Sequence, residues 1–266
     1  MRGPKKQGRW GDLPRRMASA LIMLGIGVIE IWLGGATFAV LVIALSGLMT
    51  WELARMQKPH APWIPVGLGL LASVTLAVLM QAPPVTRLFL LFVPPLACAF
   101  GSGHRKVAFV YALAIMLSGY TLIDLRTVAG TAVIVWLIML VVVSDIMGYF
   151  VGRSLGGPKF WPRISPNKTW SGTIAGWVGA MGVGAAFVVV MGEPWGLVLL
   201  SPVVALAGQL GDIAESWIKR RAEIKDSSSL IPGHGGVLDR FDALIGAVVA
   251  IMLLSLLFPL PIPDSL

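Results

Sequence analysis

Nine apolar runs of 17 to 22 residues divide this chain, at 17–34, 36–53, 64–80, 85–101, 107–123, 129–150, 171–191, 196–213 and 241–260. A helix needs about 20 mostly apolar residues to cross a bilayer core. The runs are continuous rather than alternating, which excludes a transmembrane β-barrel. In lipid every backbone polar group has to be paired within its own segment, so each run predicts a helix. The expected fold is all-α: a polytopic transmembrane helix bundle of about nine spans, with residues 1–266 forming one integral-membrane domain. Only Gly34-Gly35 separates the first two runs, which fits either a hairpin or one broken helix. The basic N-terminus, MRGPKKQGRWGDLPRR, has no small-residue cleavage site behind it, so the first run reads as a retained span.

Polar positions are spread unevenly. Residues 1–143 read as scaffold spans and are chemically almost featureless. Polar interest begins at Asp145 and runs to Asp242, so 144–242 is the expected cytoplasm-facing catalytic region, and 241–260 the last span. With the N-terminus in the cytoplasm, nineteen of the 21 Lys and Arg fall on the cytoplasmic side, leaving Arg87 and Arg126 outside. The positive-inside rule reads that split as an orientation in the cytoplasmic (inner) membrane. It also explains the net charge of +8 as topology plus attraction to anionic membrane lipid, so no nucleic-acid partner is expected. Apolar residues make up 56% of the chain, above the ~45–50% of soluble domains. The one cysteine, Cys98, excludes an intrachain disulfide and reads as a small core residue. Trp63, Trp161, Trp170, Trp195 and Trp217 stand near run ends, as interfacial anchors do.

The densest chemistry lies in Ser216–Asp242, which carries five cations (Lys219, Arg220, Arg221, Lys225, Arg240) and four anions (Glu223, Asp226, Asp239, Asp242). Cations bind phosphate and carboxylates bind Mg²⁺, so both together beside a bilayer point to phosphate chemistry on a lipid. At helical spacing Asp212, Glu215, Ser216 and Lys219 share one face. An acid at the end of a spanning helix is costly and marks function, which makes Asp212 the leading metal ligand. Pro232, Gly233, Gly235 and Gly236 let the following loop bend tightly around an anion. Asp239 and Asp242 open the last helix three residues apart. Simple complementation of the helix dipole suits Asp242 better than Asp239. Asp212 and Asp239 are therefore the expected Mg²⁺ pair, with Glu215, Asp242 and Asp145 as further candidates. His234 reads as a hydrogen-bonding partner for phosphate or as a structural loop residue. A phosphate monoester, with a second pKa of about 6, needs no base to become a nucleophile.

A third constellation follows Asp145. Gly152, Gly156, Gly157, Arg153 and Lys159 precede Ser165-Pro166-Asn167-Lys168-Thr169, a polar loop at the start of the seventh helix that suits an anion. It is not a nucleotide P-loop, because G-x-x-x-x-G-K-[ST] occurs nowhere. Gly172, Gly176, Ala180 and Gly184 form a close-packing stripe on that helix, either within one chain or across a homodimer.

These residues carry a family resemblance. Ser216, Lys219-Arg220, Lys225-Asp226, Pro232, His234-Gly235-Gly236, Asp239-Arg240 and Asp242 resemble the signature of phosphatidate cytidylyltransferases, or CDP-diacylglycerol synthases. GQLGDIAES and the SPNKT loop are also similar to that family. Ser171 and Ser228 depart from it, standing where the family often has glutamate and glycine. The resemblance implies transfer of a cytidylyl group from CTP to phosphatidate, with Mg²⁺ and a neighbouring K⁺ as cofactors. It implies that Asp212 and Asp239 bind metal, and that Lys168, Lys219, Arg220 and Lys225 hold phosphates. Ser165, Asn167, Thr169, Asp226, His234 and Arg240 complete the expected substrate-binding set, and Lys219 and His234 join the two aspartates as expected catalytic residues. Two rivals fit less well. A secondary transporter would show matching halves, and a CDP-alcohol phosphatidyltransferase would show an Asp-Gly dipeptide, which is absent.

Overall fold

The structure is a computed structural model and describes residues 13–57 and 63–263. Four N-terminal cations (Arg2, Lys5, Lys6, Arg9) and Lys58, all counted above as cytoplasmic, lie outside the described residues. In chain order the elements are α1 (Leu13–Leu33), α2 (Gly35–Gln57), α3 (Trp63–Gln81), α4 (Pro84–Gly101), α5 (Arg105–Val128), α6 (Gly130–Leu155), β1 (Lys159–Trp161), β2 (Ser165–Thr169), α7 (Trp170–Met191), α8 (Gly196–Arg221) and α9 (Leu238–Ser255). The nine helices among the described residues match the nine runs. Seven of them, α2 to α8, are long and apolar enough to cross a membrane, while α1 contributes a shorter apolar stretch, Met17–Leu33. α9 opens on Asp239, Arg240 and Asp242 before turning apolar. It ends at Ser255, just before the prolines at 259, 261 and 263.

α1 and α2 form a hairpin rather than one broken helix. Gly34 and Gly35 both take left-handed backbone angles (φ +62° and +55°), which glycine alone adopts without steric cost. Ser19, near the start of α1, bonds Pro232 and His234, and Glu52, near the end of α2, bonds Val237 and Leu238. The outer ends of both helices therefore reach one loop, on one face of the bundle. Arg126 Nη2 donates to Ile31 O (3.1 Å), beside the Gly34-Gly35 turn at the opposite face.

Two apolar clusters fill the bundle. The larger surrounds the fully buried Trp136, whose indole N–H donates to Ser201 Oγ (3.1 Å), itself bonded to Leu197 O (2.7 Å). The smaller joins Leu53, Cys98, Ile115, Ile218 and Leu238 beneath the polar face. Large apolar side chains also cover the outside, Phe89, Val190 and Leu199 among them. That surface would be a liability in water and is ordinary against lipid. All five boundary tryptophans are exposed, as anchors at an interface require.

Close helix contacts sit where residues are small. The glycine stripe of α7 packs within the chain: Gly172 against Gly148 and Gly152 of α6, Gly176 against Ser144 and Gln209, and Gly184 against α8. α8 meets α9 backbone to backbone. A Cβ at Gly246 would stand 2.9 Å from the Cα of Gly211, and one at Gly208 would stand 3.1 Å from Ala243 O. Only glycine permits that approach.

A leucine at position 246 cannot be housed without separating the two helices, an overpacking cost of about 1–3 kcal/mol. Gly246→Leu should therefore lower the thermal unfolding midpoint in detergent. Gly182→Leu, at a site with nothing within 4 Å, should leave it unchanged. Equal midpoints for the two variants would contradict the contact.

Candidate active site

α8 continues as helix two turns beyond its apolar run, so Asp212, Glu215 and Lys219 all project from one face of its last turns. Asp239 and Asp242 occupy the first turns of α9. The glycine contact draws these segments together and brings carboxylate oxygens of Asp212, Glu215 and Asp242 within 4.8 Å of one another. Glu215 is fully buried and Asp242 nearly so, while Asp212 stays partly open. Lys219 forms an ion pair with Glu215 Oε2, yet neither oxygen of Glu215 has an aligned hydrogen-bond partner. A buried carboxylate left short of donors, next to two more carboxylates, is a donor set that fits a hard cation.

Asp239 is placed differently. Its carboxylate accepts from Lys219 Nζ (2.7 Å), from Ser227 N and Oγ (both 2.9 Å) and from Gly236 N (2.8 Å). It ties α8 to the loop ahead of α9. The sequence reading joined Asp212 with Asp239; the structure instead groups Asp212 with Glu215 and Asp242. The cause is local. Asp239 stands at the N-terminus of α9, where free backbone N–H groups compete for its oxygens.

The SPNKT segment, expected as a loop, is strand β2. It pairs antiparallel with β1, Lys159 opposite Thr169 and Trp161 opposite Ser165. Thr169 caps α7 by accepting from Gly172 N (3.2 Å). Ser171, the departure noted above, donates to Gly156 O (2.5 Å) and so pins the glycine turn after α6. The hairpin delivers Lys168 to α8, where it forms an ion pair with Asp212 and reaches Gln209 O (3.5 Å). Between the hairpin, α6, α7 and α8 lies a cleft of about 770 Å³, lined by Asp145, Arg153, Lys159, Asn167, Lys168 and Asp212, with Thr169 at its wall. That volume lies within the usual range for small-molecule sites, about 300–1,000 Å³. Asp145, Asn167, Lys168 and Asp212 are thus brought together at one cleft, whereas Ser165 sits at the far end of the hairpin.

His234 Nδ1 lies 2.9 Å from Ser19 Oγ, and its carbonyl accepts from Arg240 Nε (3.0 Å) and Nη2 (2.6 Å). Both side chains therefore shape the loop. Arg220, Lys225 and Asp226 are exposed at the same face. A separate apolar cavity, bounded by Phe38, Val42, Ile138 and Phe241, opens between α1, α2, α5, α6 and α9.

Three polar residues escaped the sequence reading. Gln209 lies at the cleft wall, its amide bonded to Ser144, Thr173 and Trp177. Ser227 bridges Asp239 and Glu52. Glu52 itself is fully buried, so the first spans are not featureless. An acid near the end of an apolar run was the available signal, the same one that singled out Asp145 and Asp212.

Known proteins resemble this chain along most of its length. The sequence model of the cytidylyltransferase family matches residues 14–258. The phosphatidate cytidylyltransferase of Brucella suis biovar 1 (strain 1330) is 33% identical, over 96% of this chain and 98% of its own length. That of Pseudomonas aeruginosa PAO1 is 31% identical over 89% and 94%. That of Bacillus subtilis (strain 168) is 29% identical over 93% and 99%. Matched along nearly its whole length, and carrying its acids where two of its helices touch, this chain belongs with the phosphatidate cytidylyltransferases to the cytidylyltransferase family.

Proposed function

We propose that this chain transfers the cytidylyl group of CTP to phosphatidate, giving CDP-diacylglycerol and pyrophosphate at the cytoplasmic face of the membrane. The observation that carries the reading is the convergence of Asp212, Glu215 and Asp242 beside a cleft lined by Lys168, Arg153 and Lys159. Anionic phosphates suit the cationic wall, and the apolar cavity next to Phe241 suits an acyl chain. An oxygen of the lipid phosphate, already ionised near neutral pH, attacks the α-phosphorus of CTP. The bond from that phosphorus to the bridging oxygen of the β-phosphate breaks, and pyrophosphate leaves with the electron pair. Lys168 and Arg153 hold and neutralise the triphosphate, and the helices fix the two substrates in line.

Asp212, Glu215 and Asp242 are the residues that would hold Mg²⁺, which when bound supplies charge neutralisation at phosphoryl oxygens. K⁺ beside it belongs to the same proposal. Asp239 then acts by holding Lys219 and the loop rather than as a principal ligand.

Purified protein given CTP, phosphatidate and Mg²⁺ should form lipid-linked cytidine and release pyrophosphate in equal amounts, and chelation of divalent ions should stop it. Asp212→Asn should lower kcat at least ~100-fold, the scale of losing one transition-state contact. Asp242→Asn should raise the Mg²⁺ concentration needed for half-maximal rate. Asp239→Asn should lower kcat with that concentration unchanged. The absence of any cytidylyl transfer by the folded wild type would reject the function. The opposite pattern in the two α9 variants would reject the ligand assignment.

Orientation has its own test. In a Cys98→Ser background, Lys225→Cys should react with a membrane-impermeant maleimide only from the cytoplasmic side, and Val128→Cys only from the other. Labelling of Lys225→Cys from outside intact cells would contradict the proposed sidedness.

A further inference from the structure

Glu52 belongs to α2, a helix that contributes nothing to the cleft or to the acid group, yet its carboxylate is fully buried at the polar face. Its two oxygens face four donor groups, two at each oxygen. Oε1 takes Ser228 Oγ (2.6 Å) and Val237 N (3.0 Å); Oε2 takes Leu238 N (2.6 Å) and Ser227 Oγ (3.3 Å). Val237 and Leu238 lie at the entry of α9, where backbone N–H groups have no partner within the helix. A carboxylate there also meets the positive end of the helix dipole. Glu52 thus caps from 185 positions away the helix that carries Asp239 and Asp242. Ser227 stands between it and Asp239: the hydroxyl lies 2.9 Å from Asp239 Oδ2 and 3.3 Å from Glu52 Oε2, and the Ser227 N–H donates to Asp239 Oδ2 (2.9 Å), the same oxygen that Gly236 N binds. A Cβ at Gly236 would collide with Glu52 and Ser227, so the loop is fitted closely around this carboxylate.

We infer that Glu52 is a positioning residue: it fixes the 227–237 loop and the first turn of α9, and through them sets Asp239 against Lys219 and Asp242 against Asp212. This rests on the proposed reaction for its kinetic consequence and on geometry alone for its structural one. The Ser228 hydroxyl and the Val237 and Leu238 N–H groups donate to the carboxylate, and the one Ser227 hydroxyl hydrogen is shared between it and Asp239. The Val237 and Leu238 N–H groups cannot reverse. A glutamine of the same size must point its own NH₂ at one of these, so the isostere cannot substitute. A side chain serving only to fill space would tolerate that change.

The test compares wild type, Glu52→Gln and Ser228→Ala in detergent by amide hydrogen exchange and steady-state kinetics. For Glu52→Gln, exchange in 227–238 should quicken at least tenfold while α3 to α6 keep their protection. Its kcat should fall at least tenfold with KM for CTP within threefold of wild type. Ser228→Ala removes one of the four donors and should give the same pattern at roughly threefold, which decides the matter if Glu52→Gln does not fold. Unchanged exchange in 227–238 in a folded variant would overturn the inference, as would quickened exchange with wild-type kcat. Wild-type protein that forms no CDP-diacylglycerol would count against the proposed reaction instead, leaving the exchange result to judge Glu52.

Discussion

The polar half of this molecule depends on one contact, the backbone-to-backbone approach of α8 and α9 at Gly208, Gly211 and Gly246. Without a Cβ between them, the helices bring three carboxylates within 4.8 Å at the end of a membrane crossing. Like charges about 4 Å apart repel by about 4 kcal/mol where the effective dielectric is near 20. Such a group persists only if positive charge enters it. Lys168, paired to Asp212, and Lys219, shared between Glu215 and Asp239, supply part of that charge. A retained proton or a bound cation can supply the remainder, and the proposed function assigns it to a divalent cation, with phosphate substrates against the cationic wall beside it.

Three supports converge on that contact. The β-hairpin brings Lys168 to Asp212 from the side of α7. Asp239 and Lys219 bind the loop to α8. Glu52 secures the same loop from α2, nearly two hundred residues earlier in the chain. The scaffold spans therefore do more than fill the membrane: α2 reaches into the polar face and orders it. The motif residues His234 and Arg240 serve the same end through Ser19 and the His234 carbonyl.

Much of this was legible in the sequence. The continuous apolar runs gave nine helices, because lipid leaves the backbone no alternative. Charge density pointed to the Ser216–Asp242 segment, an acid at the end of an apolar run to Asp212 and Asp145, and the polar SPNKT stretch to Lys168; Asp145, Lys168 and Asp212 do line the cleft. Three things were not legible. The short hairpin escaped because Ser165–Thr169 read as a polar loop, and its pairing depends on a partner strand supplied by the chain behind α6. The grouping of Asp242 rather than Asp239 with Asp212 follows from how α9 rotates against α8, which periodicity within one helix cannot fix. Glu52 was passed over because its value lies in partners distant in sequence. One buried acid among apolar residues shows that something needs it, but not what.

The central claim is that Asp212, Glu215 and Asp242, across the glycine contact, form one cation site. Titration of the purified protein with Mn²⁺, read by electron paramagnetic resonance of the free ion, tests it without reference to turnover. Wild type and Asp239→Asn should each bind one Mn²⁺ tightly, and Asp242→Asn should lose it. Retention of the ion in Asp242→Asn together with its loss in Asp239→Asn would contradict the account.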